Sequence, residues 1–86
     1  MDTIIMVLKL HKNKQHKKEM VYDIEVPIDI TANDLVLALN QGFGLGIDTN
    51  NVLECYLKTE NPIALVKGDK TLRQFGLYDG TVINIT

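Results

Sequence analysis

Apolar residues fall along the chain in two rhythms. Thr3 to Leu10 is a dense β-branched and apolar stretch ending in the alternation Leu8-Lys9-Leu10, the pattern of a strand covered on one face and partly covered on the other. After a polar segment, Met20, Tyr22, Ile24 and Val26 alternate with Asp23 and Glu25 until Pro27, which can donate no ladder hydrogen bond. Two strands joined by a polar loop predict an antiparallel hairpin. Thr31-Ala32-Asn33-Asp34 then opens a helix predicted over residues 32 to 41. Thr31 can accept from the Asp34 amide, and Ile30 and Leu35 have the spacing of a hydrophobic staple. Leu35 and Leu39, with Ala38 beside them, form its buried stripe, and Gly42, Gly44 and Gly46 stop it.

Alternation returns from Val52 to Lys58, predicting a third strand that Asn61-Pro62 breaks, and Ile63 to Val66 forms a short fourth. Thr71 followed three residues later by Gln74 is a capping box, starting a single helical turn closed by Gly76. Asp79-Gly80 is a tight turn, and Thr81 to Thr86 a last strand with Ile83 and Ile85 on its buried face. The fold class is therefore α+β: a mixed sheet of four to five strands with one crossover helix and a short helical turn. The first and last strands are the most apolar, so they belong in the centre, paired in parallel.

At 86 residues the chain holds a single domain, 1–86. Cys55 is its one cysteine, which excludes a disulfide framework and four-cysteine zinc sites. The longest apolar runs, Ile4 to Leu8 and Leu35 to Leu39, are far short of the ~20 residues of a membrane span. Asp2 stands where a secretory leader would carry basic residues, and direct membrane insertion is not expected. Net charge is −2, too near neutral to suggest nucleic acid as a partner. Its distribution is uneven: residues 11 to 18 contain Lys12, Lys14, Lys17 and Lys18 and no acid, leaving five basic against eleven acidic groups elsewhere. One basic loop thus projects from an acidic body.

The segment Leu72-Arg73-Gln74-Phe75-Gly76-Leu77-Tyr78-Asp79-Gly80-Thr81-Val82-Ile83-Asn84-Ile85, set at the end of this element order, resembles the ubiquitin-like β-grasp superfamily. Those domains close with a leucine, an aromatic-glycine-aliphatic triplet, an acidic-glycine turn and an alternating strand. Leu72, Phe75 and Leu77 would plug the open end of the core. Within the superfamily the chain is most similar to the small YukD/EsaB-like proteins of bacterial type VII secretion systems, in length, in its long first hairpin and in an ending directly after the last strand. The resemblance implies a cytoplasmic, non-catalytic accessory protein acting on the membrane-bound secretion machinery. Two alternatives are a protein modifier or sulfur carrier, which needs a flexible Gly-Gly tail where this sequence reads Asn84-Ile85-Thr86, and a general ubiquitin-like scaffold unrelated to secretion.

The residues themselves offer no enzyme. There is no serine, so a nucleophilic triad lacks its usual candidate. Cys55 reads as a small buried hydrophobe between Leu53 and Leu57. His11 and His16 sit among lysines with no thiolate or carboxylate beside them, so no metal site follows. The Gly42-Gly44-Gly46 series follows a helix instead of preceding one, which makes it a helix stop and not a phosphate loop. No cofactor is implied. What remains is surface: by alternation Ile5, Val7, Val52 and Tyr56 point away from the helix, toward the sheet face that ubiquitin-like domains present to partners. Tyr56 is the candidate anchor, and Lys12, Lys14, Lys17 and Lys18 form a second, basic candidate patch.

Overall fold

The computed structural model describes residues 2–11, 19–51 and 53–85. Within them the chain runs β1 (Thr3–His11), β2 (Glu19–Pro27), α1 (Ala32–Phe43), β3 (Leu57–Glu60), β4 (Ala64–Val66) and β5 (Val82–Ile85). The strands form one mixed sheet in the order β2-β1-β5-β3-β4. β1 pairs antiparallel with β2 from Thr3 opposite Pro27 to His11 opposite Glu19. On its other edge β1 runs parallel to β5, with Val7 opposite Val82 and Leu10 opposite Ile85. The central parallel pair is the one the apolar content of the two strands predicts. β3 is antiparallel to both β5 and β4.

Thr31 has extended backbone and accepts from the Asp34 amide at 3.1 Å, which satisfies one of the free donors of the first turn. Gly44, at φ 62°, takes the left-handed conformation that ends the helix, its amide donating to the Asn40 carbonyl. The helix thus runs two residues beyond the predicted Gln41, through Gly42. Its buried stripe is Ala32, Leu35, Val36 and Leu39. Ala38, expected in that stripe, is exposed and Val36 takes its place. At about 100° per residue, Ala38 lies more than a quarter turn from the middle of the stripe.

The stripe covers Ile4, Met6, Leu8 and Leu10 of β1, with Val26, Leu57, Val66 and Ile83 from the other strands. Leu72 and Leu77 are buried and Phe75 half-buried against this core, as the closing motif predicts. The Thr71–Gln74 capping box is reciprocal: the Thr71 amide donates to Gln74 Oε1 at 2.8 Å and the Gln74 amide to Thr71 Oγ1 at 3.2 Å. It holds one helical turn, with the Phe75 amide on the Thr71 carbonyl and Gly76 at φ 75° closing it.

The third strand differs from expectation. It begins at Leu57, whereas the alternation places Val52 to Lys58 in it. The cause is local. Asn51 Oδ1 accepts from the Leu53 amide at 3.0 Å, and its carbonyl accepts from the Glu54 and Cys55 amides. An asparagine that captures the backbone in this way holds the following residues in a turn and out of a ladder. Leu53, predicted to share a buried face with Cys55 and Leu57, is 81% exposed, while those two are buried.

Candidate functional site

Alternation along the strands divides the sheet cleanly. With α1 on the Leu8 side, the opposite face carries Ile5, Val7, Lys9 and His11 of β1, Val82 and Asn84 of β5, Lys58 and Glu60 of β3, Leu65 of β4, and Val21, Asp23 and Glu25 of β2. The registers align these side chains in rows across the strands. One row reads Val21, Lys9, Asn84, Lys58, Leu65; the next reads Asp23, Val7, Val82, Glu60.

Of the predicted contact residues, Ile5 and Val7 do lie on this face. Ile5 is 51% exposed and Val7 half-buried. The Asp79-Gly80 turn fixes the Ile5 backbone: its amide donates to Asp79 Oδ1 at 2.8 Å, and its carbonyl accepts from the Gly80 amide at 2.8 Å. Tyr56 is not beside them. It precedes β3, half-buried, next to a hollow of about 140 Å³ that Ile47, Glu54, Lys58, Asn84 and Ile85 also line. Ile5 and Lys58 are four residues apart in register, about 13 Å at ~3.3 Å per residue, and Tyr56 lies beyond Lys58. The face therefore does not bring Ile5, Val7 and Tyr56 into one patch. Val52 and Lys12, Lys14, Lys17 and Lys18 lie outside the described residues.

Sequence reasoning overlooked a broader feature. A groove of about 1030 Å³ opens on the face, lined by Lys9 and Lys58, by the carboxylates of Glu19 and Glu60 that balance them, and by His11, Ile63, Leu65 and Asn84 among others. Ile63 is 91% exposed on the turn before β4. His11 Nε2 and Asn84 Oδ1 stand 3.4 Å apart, and Lys9 Nζ lies 3.9 Å from Glu19. The signal was present in the alternation of Lys58 with Leu57 and of Leu65 with Val66, but assigning these residues to one groove requires the strand order.

The strongest charged cluster serves another purpose. Arg73 Nε donates to Asp29 Oδ1 at 2.8 Å, and its Nη2 donates to Asp2 Oδ2 at 3.1 Å. That hydrogen bond from Arg73, aided by its positive charge, holds the Asp29 carboxyl below its ordinary pKa, and the two carboxylates push the guanidinium pKa up. The cluster ties the capped turn to the residues flanking both strands at the open end of the first hairpin. Cys55 Sγ stands 3.8 Å from Asn33 Oδ1 and is buried. Among the described residues no group of three or more His, Cys, Asp or Glu side chains could hold a metal ion, and no helix is long and apolar enough to cross a membrane.

The family model for protein YukD of the WXG100 protein secretion system (Wss) matches residues 9–85. Among solved structures, the UBL domain of Dsk2 from Plasmodium falciparum is similar with a TM-score of 0.56, at 18% identity, over 99% of this chain and 100% of that one. At that identity the likeness establishes the fold, a ubiquitin-like β-grasp. No curated protein matches the chain.

Proposed function

The chain belongs to the YukD family of the WXG100 protein secretion system, and we propose that it is a non-catalytic accessory protein of a bacterial type VII secretion system. It works in the cytoplasm as a single ubiquitin-like domain, through contacts with proteins of the membrane-bound machinery. The observation that carries this reading is the family match over residues 9–85. The open sheet face supports it. Ile5, Val21 and Leu65 are each about half exposed there, and apolar side chains set among charges are the usual makings of a contact surface.

Docking through the sheet face uses Ile5 and Val7, with Tyr56 as a separate anchor beyond Lys58 and Val52 as a further contact proposed from the sequence alone. The basic loop of Lys12, Lys14, Lys17 and Lys18 adds attraction at longer range. Apolar anchors hold a complex while peripheral charges chiefly speed encounter. The test is genetic. Removing the gene should lower export of WXG100 substrates, and a plasmid copy should restore it. Unchanged export would sink the accessory reading.

A further inference from the structure

The segment that follows α1 is tied to the rest of the molecule at one residue. The Asn40 side chain meets the backbone of Ile47 twice: Nδ2 donates to the Ile47 carbonyl at 3.1 Å, and Oδ1 accepts from the Ile47 amide at 2.9 Å, both partly buried. The Asn40 carbonyl accepts from the amides of Gly44 at 2.9 Å and Leu45 at 3.3 Å. Among the described residues, every hydrogen bond that joins residues 44–50 to another element ends on Asn40. Asparagine is a poor helix residue because its short amide competes for backbone groups. Here it makes those competing bonds to a residue seven positions away.

The surroundings suit a hinged piece. Leu45 and Ile47 pack half-buried against the core, and Gly44 and Gly46, at φ 62° and 73°, stand on either side of Leu45. Glycine there can change conformation without the penalty of a Cβ. The rings of Phe43 and Tyr22, with centroids 5.2 Å apart, hold the end of α1 against β2, so the break falls after Phe43. Ile47 also walls the hollow of about 140 Å³ beside Tyr56.

We propose that residues 44–50 form a strap latched at Asn40. With the latch closed, Ile47 walls the hollow beside Tyr56; with the latch released, the strap swings out as one unit while helix and sheet stay folded. Segments with few hydrogen bonds and little buried surface open at far lower free energy than the whole fold. The strap is such a segment, and its bonds to the fold converge on one residue, which makes their loss concerted. The hollow thus exists only in the latched form. The device belongs to the isolated chain and stands whether or not Tyr56 touches a partner.

Amide exchange followed by NMR on the full chain reads the latch residue by residue. Asn40→Leu is similar in size, favours the helix and removes both bonds to Ile47. Protection of the Ile47 amide should fall at least about tenfold, since each bond shifts the closed-to-open ratio severalfold. The Leu45 amide keeps its acceptor, the backbone carbonyl of residue 40, so its protection falls in step only if the strap opens as a unit. Amides in the middle of α1 and in β1 should exchange as in the native chain, while the amide shifts of Tyr56 and Ile85, which line the hollow, should move. Asn40→Asp supplies a readout that lost packing does not. Its ionised carboxylate cannot donate to the Ile47 carbonyl, whereas the protonated acid has one donor and one acceptor and restores both bonds. Relative to the native chain at the same pH, protection of Ile47 should therefore recover in Asn40→Asp as pH falls through about 4, and should not recover in Asn40→Leu. Asp48 beside Ile47, and Glu54 and Lys58 lining the same hollow, are common to all three chains, so their own titration cancels. Native exchange at Ile47 in Asn40→Leu, a fall at Ile47 that leaves Leu45 unchanged, an equal fall throughout the chain, or an Asn40→Asp variant indifferent to pH would each overturn the latch.

Discussion

Consecutive residues of β1 inhabit two different environments. Ile4, Met6, Leu8 and Leu10 face the helix and are all buried, whereas Ile5, Val7, Lys9 and His11 on the reverse range from half-buried to half exposed. On the inner face one requirement, packing against α1, sets every position, and chemistry there is uniform. On the outer face each residue answers to its neighbours across the strands. Val7 is partly covered between Asp23 and Val82, while Lys9 has Val21 and Asn84 on either side. A β-strand can therefore hold a fold together with one edge of its alternation and carry recognition with the other.

The contrast can be broken most sharply at Leu8, which is fully buried. Leu8→Ala should lower stability by about 2–5 kcal/mol, because a deleted leucine side chain leaves a cavity as well as losing its transfer energy. Leu39→Ala, in the middle of the helix stripe, should fall in the same range. Denaturant unfolding measures both, and an unaltered midpoint for either would mean that the inner face is not one continuous core.

Thr81→Val tests the polar part of the inner side. The hydroxyl of this fully buried residue accepts from the Tyr78 amide at 3.1 Å and donates to the Asn61 carbonyl at 2.9 Å. Keeping the shape and removing the hydroxyl strands both partners, at a cost of about 1–3 kcal/mol. A neutral result would indicate that water reaches both groups.

Lys58→Ala, on the outer face, should change stability by no more than about 0.5 kcal/mol. A loss comparable to that of Leu8→Ala in the same unfolding experiment would erase the distinction between the faces.

The smallest effect belongs to Asp29, outside both faces. Its pKa is depressed in the folded chain by Arg73, so its contribution is fully present above the ordinary carboxylate value of 3.8 and fades as pH falls through the lower folded value. Asp29→Asn should lower the melting temperature slightly near pH 7 and flatten its decline below about pH 4 by the same small amount, so that the two chains converge in acid. An acid limb as steep as that of the native chain would show that other carboxylates carry the dependence.

Features decided by neighbours in sequence were legible in it. Thr31 and Thr71 both cap as their spacing predicts, because the groups they satisfy lie three residues away. The long hairpin and the central, parallel pairing of the first and last strands followed from alternation and apolar content. Val36 against Ala38 was a matter of angle around a short helix, which two leucines alone do not fix. The start of β3 was misread because Val52 to Lys58 alternates well, while the side chain of Asn51 offers the backbone a competing set of hydrogen bonds. The candidate site was half legible. Alternation put Ile5 and Val7 on the open face, but the distance from them to Tyr56, and the meeting of Lys9 with Lys58 across β5, depend on which strand lies beside which.

The parallel pairing of β1 with β5 has a consequence for synthesis. Val7 and Val82 are partners in the middle of the sheet, although they stand near opposite ends of the sequence. A chain emerging from the ribosome can form the β1–β2 hairpin early, yet the apolar edge of β1 has no partner until residues 82 to 85 appear. Two-stranded hairpins are marginal by themselves, and long-range pairing must first overcome loop-closure entropy. Folding to the finished sheet is thus withheld until translation reaches the last strand, and throughout that interval Leu8 and its neighbours are exposed to whatever chaperones attend the nascent chain.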